Sequence, residues 1–388
     1  MTEAVIVATG RTPIGRAYKG SLISVRPDDM AGFVIKAVLG KVPQVDPATV
    51  DDVMLGCGLT HHEQGYNIGR NAALLAGLPD TVPGTTVNRF CASSLQTIRM
   101  AFHAIKAGEG EVFVAAGVES VTRTMNKAFD PEDFNRRFMD EGRDDFINHV
   151  YIPMGMTAEN VAARFDVGRE RMDEFAKSSQ DRAVRAQADG FFEREIIPYP
   201  LDDGTLVARD DGPRHGTTLE KLATLPPAFK PDGLVTAGNA CPLNDGAAAV
   251  IIMSDERARA LGITPLARIV ASSVSALAPE IMGVGPIEAV DKVLAQTGMK
   301  IVDVDIVELN EAFAAQVLPV VDELGIDVDG QLNPHGGAIA LGHPFGMTGA
   351  RIMTTLLNGL RTADHTIGLE TMCVGGGQGM AMIIERLN

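Results

Sequence analysis

Short strand-like runs alternate with helix-like segments at both ends of the chain, and this alternation limits the fold more than any other feature. Alternating strands and helices pack in layers. The continuous apolar run from Glu111 to Ala116 is typical of a strand buried on both faces of a sheet. The sequence therefore predicts an α/β fold. The predicted strands are 4–8, 51–55, 85–87, 111–116, 245–253, 267–273, 304–309, 367–372 and 380–386; the predicted helices are 30–39, 67–76, 95–107, 169–188, 286–295, 311–324 and one within 343–360.

The alternation stops between residues 119 and 243, where charged residues and Pro- and Gly-rich segments become more frequent. Such an interval is a usual place for ligand-binding loops laid over a core. We therefore predict a loop domain at 119–243, one half of the core at 1–118 with 244–264, and a second half at 265–388.

Composition and charge exclude several function classes. The formal net charge of −16 argues against nucleic acid or an anionic membrane as the main partner. No apolar run approaches the roughly 20 residues of a membrane helix, and the first residues lack the basic segment of a signal peptide. The 4 cysteines include no close pair, which predicts a reducing, cytoplasmic location. We expect no metal site, because the contiguous His61, His62 and Glu63 read as a polar loop.

Cys91 is the candidate nucleophile. It follows the strand-like run 85–87 and precedes a helical pattern in which Leu95, Ile98 and Phe102 share one face. The free N–H groups and the positive dipole end of a helix both favour a thiolate. Lowering an ordinary thiol pKa to neutrality needs about 2 kcal/mol, whereas an exposed helix end supplies about 0.3–1 kcal/mol. We therefore expect a base nearby; otherwise Cys91 is an ordinary buried thiol.

A weak internal repeat brings His343 close to this cysteine. The runs around Val53 and Val307 resemble each other at an offset of 254 positions (307 − 53). Applying about that offset to Cys91 lands beside His343 (343 − 91 = 252). The flanking glycines of His343 leave room for a ligand, and its imidazole can be the expected base. If the halves are related by a pseudo-twofold axis, two helix ends face one centre, one with a thiol and one with an imidazole.

Two other residues carry possible chemistry. Cys373 ends a strand shortly before a run of three glycines, where poorly shielded N–H groups can bind an oxyanion. Asn310 also ends a strand, and helix capping is its alternative role. Four stretches that contain these residues resemble, in order, the active-site motifs of the thiolase family: 87–93 (VNRFCAS), 310–313 (NEAF), 336–344 (GGAIALGHP) and 373–377 (CVGGG). The resemblance spans essentially the whole chain.

The resemblance implies a five-layer αβαβα fold of two similar halves with mixed sheets, together with a loop domain that binds coenzyme A. The family's nucleophile corresponds to Cys91, its activating base to His343 and its second acid/base to Cys373. Asn310 would hold a water that binds one thioester oxygen together with His343. The N–H groups of Cys91 and Gly375 would form a second oxyanion hole.

The same resemblance implies five residues that bind the CoA substrate. Arg214 would contact the CoA nucleotide, although it can equally be a solvated loop arginine. Met154 and Phe313 would line the pantetheine channel, with Ala312 beside them, although Phe313 can also be core. Cys241 stands where the family often has a pantetheine-binding serine, and a thiol is a poorer hydrogen-bond partner.

The function implied is CoA-dependent cleavage of a 3-ketoacyl-CoA to acetyl-CoA and a shortened acyl-CoA, through an acyl-cysteine. CoA is then a co-substrate, no cofactor is bound permanently, and a homodimer or homotetramer is expected. Pro153 stands before the Met-Gly pair, where acetoacetyl-CoA-forming members often have a histidine. This difference favours a degradative enzyme of fatty-acid β-oxidation that acts on longer chains.

Three alternatives remain open. A biosynthetic acetoacetyl-CoA thiolase would use the same groups in reverse. A condensing enzyme of the ketosynthase type would use two histidines with one cysteine, whereas this chain has Asn310 and a second cysteine. A non-catalytic acyl-CoA-binding relative is the third alternative. Ser94 keeps it open, because a glycine is common there and a side chain could narrow the acyl pocket or shift the helix start.

Overall fold

The computed structural model describes residues 2–126, 128–139 and 150–388. Its elements alternate as the sequence predicts. The strands are β1 (Ala4–Arg11), β2 (Gly15–Arg16), β3 (Asp52–Gly56), β4 (Gly84–Val87), β5 (Val112–Ser120), β6 (Tyr199–Pro200), β7 (Leu206–Val207), β8 (Asn244–Ser254), β9 (Ala267–Ala276), β10 (Ile306–Leu309), β11 (Ile367–Val374) and β12 (Gln378–Arg386). The α-helices are α1 (Pro27–Leu39), α2 (Ile68–Leu75), α3 (Ser93–Ala107), α4 (Val121–Thr124), α5 (Met154–Arg164), α6 (Arg169–Ala188), α7 (Leu219–Ala223), α8 (Asp255–Ala260), α9 (Gly285–Thr297), α10 (Ala314–Leu324), α11 (Ala338–Leu341) and α12 (Thr348–Ala363).

The main strands form two mixed sheets that meet at one short contact. The hydrogen-bonded order is β4-β3-β5-β8-β1 in the first half and β9-β12-β11-β10 in the second, and β1 joins β9 through the pairs Val5–Arg268 and Ile6–Ala267. The pairs β3–β5 and β10–β11 are parallel. The pairs β5–β8, β8–β1, β11–β12 and β12–β9 are antiparallel. The halves therefore share one topology, as the predicted fold of two similar halves requires.

The repeat seen in the sequence is also present in the structure. β3 and β10 begin 254 positions apart (306 − 52), and α3 and α12 begin 255 positions apart (348 − 93). A 3₁₀ turn precedes each of these helices, at Phe90–Ala92 and at Phe345–Met347. Between β5 and β8 the chain inserts the long segment that contains α4 to α7, whereas β11 and β12 are joined by three glycines.

The strands are buried on both faces, which produces five layers. In β8, Val250 and Ile252 face a cluster that contains α3 and α12, whereas Ile251 and Met253 face α1 and α2, because successive strand residues point to opposite sides. A third cluster holds α9 and α10 against the second sheet. The order is therefore outer helices, first sheet, central helices, second sheet, outer helices, and the predicted five-layer fold is confirmed.

The two central helices approach each other closely at their amino ends. A Cβ on Gly349 of α12 would lie 2.2 Å from the backbone nitrogen of Leu95 on α3. The turn before α12 also lies against β5, since a Cβ on Gly117 would lie 2.1 Å from the carbonyl oxygen of Gly346. Ser94 joins the helices, since its Oγ accepts a hydrogen bond of 2.9 Å from the N–H of Ala350. This side chain therefore satisfies a free N–H at the start of α12.

Local differences from the predicted elements have identifiable causes. α10 begins at Ala314 rather than at residue 311, because Phe313 is extended and forms a β-bridge with Ala240. α5 was not predicted, and it begins after Pro153, whose fixed φ suits the start of a helix. The predicted domain boundaries at 118/119, 243/244 and 264/265 stay a prediction. In the described part of the chain, no helix is both long and apolar enough to span a membrane.

The Gly349→Ala variant tests the contact between the central helices. We expect it to lower the stability by about 1–3 kcal/mol, because an added methyl group overpacks a buried backbone contact. Gly168→Ala is the matched control: it lies at the start of α6 with φ of −75°, and its Cβ would meet no described atom within 4 Å. Thermal unfolding at one scan rate measures both. Equal midpoints for the two variants would contradict the close contact.

Candidate active site

Cys91 lies in the 3₁₀ turn that leads into α3, and its side chain is buried. The turn is held in a conformation that few side chains adopt, because Phe90 has φ of 43°. Asn88 stabilises it by accepting a 2.8 Å hydrogen bond from the N–H of Phe90, and Ser93 Oγ donates to the carbonyl of Phe90 at 2.6 Å. The predicted strand-to-helix turn therefore exists and fixes the thiol at its end.

Burial dominates the protonation of the Cys91 thiol. It raises the pKa of Cys91 to about 12, although the N–H groups of Gly375 and of Cys91 itself donate to the sulfur and oppose that rise. The N–H groups expected from the sequence are present at the sulfur, but desolvation is the larger effect and keeps the resting side chain a thiol.

The ring of His343 is held in one tautomer. Thr348 Oγ1 donates to the carbonyl of Pro344 at 2.8 Å, so it accepts from His343 Nδ1 at 2.6 Å. Nδ1 therefore carries the proton and Nε2 carries the lone pair. The amide Nδ2 of Asn310 lies 3.4 Å from this Nε2. The backbone N–H of His343 donates to Asn244 Oδ1 at 3.0 Å.

Burial also determines the charge of this imidazole. It lowers the pKa of His343 to about 3, and the positive charge of the nearby Arg351 lowers it further. Arg351 is buried on α12 and makes no hydrogen bond with the described residues. The imidazole is therefore neutral at physiological pH, which is the form that can accept a proton.

The loops that carry Cys91 and His343 meet around Gly58 and Glu119. A Cβ on Gly58 would lie 3.1 Å from Cβ of Phe345 and 3.7 Å from the carbonyl oxygen of Phe90. The buried carboxylate of Glu119 accepts 2.8 Å hydrogen bonds from the N–H groups of both Gly58 and Gly346. Residues from both halves thus hold the two loops side by side.

Cys373 is the penultimate residue of β11 and is fully buried, and burial raises its pKa well above the ordinary value. Cys91 and Cys241 are close enough that a thiolate on either would raise the pKa of Cys373 further. The N–H of Gly375, two residues later, donates to the sulfur of Cys91. Three thiols and the Gly375 N–H therefore lie close together, with Cys91 and Cys373 buried and Cys241 partly buried.

The predicted pantetheine-binding residues lie beside these thiols. The N–H of Cys241 donates to the carbonyl of Ala312 at 3.0 Å, and the neighbouring Ala240 pairs with Phe313. The half-exposed ring of Phe229 contacts Phe313 edge-on, with ring centroids 5.9 Å apart. It also lies against Gly155, next to Met154, because a Cβ there would come 2.1 Å from the ring. The sequence analysis missed Phe229, since nothing in its local pattern distinguishes it.

Arg214, the predicted contact of the CoA nucleotide, is held by different neighbours. Its N–H donates to Gln180 Oε1 at 2.8 Å, and nearby Gly212 packs against the carbonyl of Ala340, shortly before His343. Burial lowers the pKa of Arg214, and the charge of the neighbouring Arg16 lowers it further. Neither arginine has an ion-pair partner among residues 2–126, 128–139 and 150–388. Two arginines without an ion-pair partner in the described ranges therefore lie on this side of the site.

Sequence reasoning missed other residues that orient the site. Thr348 fixes the His343 tautomer, Asn244 holds the His343 backbone, and Glu119 joins the loops. Thr348 lies shortly after the motif at 336–344, and Asn244 directly precedes the predicted strand 245–253; these positions are the only signals they gave. Ser94 points towards Ala350 on α12, so its side chain does not narrow the space beside Cys91, and α3 still begins at Ser93.

Comparisons with known proteins agree along the whole chain. Residues 4–256 match the family described as thiolase, N-terminal domain, and residues 263–386 match thiolase, C-terminal domain. The β-ketoadipyl-CoA thiolase of Acinetobacter baylyi is 46% identical, and the match covers 100% of both chains. The 3-ketoacyl-CoA thiolase of Bacillus subtilis is 41% identical over 99% of this chain and 100% of its own.

A solved structure gives the same result. The crystal structure of the dimeric peroxisomal thiolase of Saccharomyces cerevisiae superposes with a TM-score of 0.93 at 39% identity, covering 99% of this chain and 97% of that chain. Both halves of the chain, and not one motif, carry the similarity. The chain belongs to the thiolase family of acyltransferases.

Proposed function

We propose that the protein cleaves 3-ketoacyl-CoA with CoA, giving acetyl-CoA and an acyl-CoA two carbons shorter, through an acyl-enzyme on Cys91. The observation that carries the proposal is that the loops of Cys91 and His343 meet around Glu119. One of these loops carries a neutral imidazole with its lone pair on Nε2, and the other carries a buried thiol that lies near a second buried thiol and a backbone N–H. Such a set can activate one thiol as nucleophile and keep the other as an acid. Because the chain belongs to the thiolase family, we do not propose a ketosynthase activity.

In the first half-reaction, His343 Nε2 takes the proton of the Cys91 thiol while the sulfur attacks the 3-keto carbon. The resulting oxyanion accepts hydrogen bonds from the N–H groups of Cys91 and Gly375. The bond between C2 and C3 then breaks, and its electron pair stays on the acetyl-CoA carbanion. Cys373 donates its proton to that carbanion, which leaves as acetyl-CoA.

In the second half-reaction, the Cys373 thiolate takes the proton of an incoming CoA thiol. The CoA sulfur attacks the acyl-cysteine carbonyl, and the same two N–H groups stabilise the oxyanion. Collapse of that intermediate releases the shortened acyl-CoA, and Cys91 recovers its proton from His343. Asn310, 3.4 Å from His343 Nε2, is the proposed holder of a water that stabilises the thioester oxygen of the acetyl-CoA carbanion.

Desolvation supports this order of events. A raised pKa keeps both Cys91 and Cys373 as thiols, and a lowered pKa keeps His343 neutral, so the resting site carries no charge on these groups. Cys373 is thus in the acid form that protonating a carbanion requires. Charge develops only while substrate is bound, where fixed N–H groups act most strongly in a water-poor site.

For the substrate, we propose 3-oxoadipyl-CoA first and longer straight-chain 3-ketoacyl-CoA second. The first follows from the 46% identity with a β-ketoadipyl-CoA thiolase. The second follows from the 41% identity with a 3-ketoacyl-CoA thiolase and retains the β-oxidation interpretation. The CoA moiety would lie along Met154, Phe229, Phe313 and Cys241, with its nucleotide near Arg214. CoA is a co-substrate here, not a resident cofactor.

We also propose that the protein is a homodimer, and a tetramer is the alternative. The related yeast thiolase is described as dimeric. In this chain, β4 is the half-buried edge strand of the first sheet, and nearby Phe90 and Tyr66 expose 41% and 96% of their surface. An unprotected strand edge with apolar neighbours favours pairing with a second copy. The cytoplasmic location stays a prediction.

The Cys91→Ser variant tests the nucleophile. We expect kcat to fall at least about a thousandfold, since a serine hydroxyl cannot replace the thiol and loss of a nucleophile removes most of the catalysis. Loss of the 3-keto chromophore of acetoacetyl-CoA, or of a longer 3-ketoacyl-CoA, on addition of CoA measures the rate. Cys57→Ser is the matched control, expected within about threefold of the unaltered protein, because its hydroxyl can still accept from Gln64. An unaltered protein that binds CoA without cleaving any substrate would instead support a non-catalytic binding role.

The pH dependence of alkylation tests the resting charge state. A thiol with a pKa of about 12 beside a neutral imidazole has a thiolate fraction that rises about tenfold per pH unit below that pKa. We therefore expect the iodoacetamide reaction at Cys91 to accelerate continuously from pH 6 to 9, with the Cys91→Ser variant as the blank. A rate that is constant over this range would indicate a thiolate–imidazolium pair and would contradict the neutral site.

A comparison of acyl groups tests the substrate proposal. We expect kcat/KM to be highest for 3-oxoadipyl-CoA, lower for a straight-chain 3-oxohexanoyl-CoA, and lowest for acetoacetyl-CoA. The first two differ by one terminal carboxylate, so their ratio isolates recognition of that group. A preference for 3-oxohexanoyl-CoA would favour β-oxidation, and a preference for acetoacetyl-CoA would favour the biosynthetic alternative.

A further inference from the structure

A continuous line of hydrogen bonds joins the nucleophile loop to the glycine turn after β11. Arg89, two residues before Cys91, donates from Nη1 to Gln378 Oε1 at 2.7 Å. The other end of that amide donates from Nε2 to the carbonyl of Gly375 at 3.2 Å. The N–H of Gly375 in turn donates to the sulfur of Cys91. The line begins and ends on the nucleophile loop and passes through the second half of the chain.

The glycine turn needs such a restraint. Gly376 and Gly377 have φ of 77° and 81°, a region that glycine enters freely, and three consecutive glycines have few preferences that fix the N–H of Gly375. An oxyanion hole, however, requires its donors about 2.7–3.1 Å from the developing charge. Gln378 begins β12 and pairs in the sheet with Val374 and Ala276, so its backbone is rigid. Its side chain can therefore hold the turn.

The Arg89 end of the line is equally fixed. The N–H of Arg89 donates to Ser93 Oγ at 2.9 Å, and the ring of Phe90 lies against Gly375, where a Cβ would be 3.4 Å away. Among the described residues, the Arg89 guanidinium makes no ion pair with a carboxylate. The guanidinium donates instead to the amide of Gln378. That amide is neutral, so the contact does not neutralise the charge of Arg89.

We propose that Arg89 and Gln378 are positioning residues that set the spacing between the two N–H donors of the oxyanion hole, one from each half of the chain. The inference rests on the proposed thiolysis reaction, because it assigns the hole formed by Cys91 and Gly375 to that chemistry. Neither side chain takes part in proton transfer. Both act through the backbone of Gly375, so their effect falls on the transition states and not on substrate binding.

The variants Arg89→Met and Gln378→Met test this inference, singly and together. Removing one oxyanion-hole donor typically costs about 10²–10³-fold in kcat, and a donor that is only displaced retains part of its effect. We expect each single variant to lose about 10- to 100-fold in kcat, with KM for CoA and for 3-ketoacyl-CoA within about twofold. Because the two residues act as one unit, the double variant loses no more than the worse single variant.

Arg99→Met is the matched control. Arg99 also lies on the nucleophile side, near the charge of Arg89, but it donates to Ser272 and does not reach the glycine turn. Its loss removes the same charge and leaves kcat within about threefold. Thermal midpoints of all variants separate folding from catalysis. If Gln378→Met fails to fold, the kcat of Arg89→Met compared with that of Arg99→Met tests the inference by itself. The Arg89 side chain is only partly buried, so its replacement is expected to leave the fold intact.

Four results would overturn the inference: an Arg89→Met variant with unchanged kcat, a loss confined to KM, losses in the double variant that multiply, or a kcat loss of equal size in Arg89→Met and Arg99→Met. These outcomes are distinct from failure of the proposed function, in which the unaltered protein would cleave no 3-ketoacyl-CoA. In an active protein, a kcat loss shared by Arg89→Met and Arg99→Met would indicate a general effect of charge, and not positioning of Gly375 by Arg89 and Gln378.

Discussion

The close contact between the amino ends of the two central helices is the constraint on which the rest of the site depends. Gly349 lets the backbones of the two helices lie against each other, and Ser94 joins them by accepting a hydrogen bond from the N–H of Ala350. Gly117 and Gly346 let the turn before α12 lie against β5. A short turn precedes each helix. The turn before α3 contains Cys91, and the turn before α12 follows His343. A larger gap would separate thiol from imidazole, since no single loop carries both residues.

Burial then decides the chemistry of that contact. Both central helices lie between two sheets, so the side chains at their amino ends are largely removed from water. Desolvation opposes every charged form, raising the pKa of the thiols and lowering that of the imidazole. The N–H groups around Cys91 act against this trend without reversing it. The site is therefore neutral at rest and provides stabilisation where charge develops during the proposed reaction.

The halves share a topology but have diverged at one connection. In the second half, three glycines join β11 to β12 and present the N–H of Gly375. At the equivalent point of the first half, the chain leaves β5 and returns at β8 only after the long inserted segment. That insertion brings Cys241 close to Cys91 and Cys373, and Phe229 against Phe313. One connection thus became part of the proposed oxyanion hole, and the other became the proposed binding surface for CoA.

The sequence by itself determined the α/β class, most elements to within a few residues, the internal repeat and the motifs around Cys91, Asn310, His343 and Cys373, because periodicity and short motifs are local properties. Only the tertiary structure decided which tautomer His343 adopts, that burial outweighs the helix end in setting the Cys91 pKa, and that Ser94 points towards α12. It also supplied Phe229, Glu119 and the line from Arg89 to Gly375. These features join residues far apart in the chain, and their energies depend on distance and desolvation, which a linear sequence does not contain.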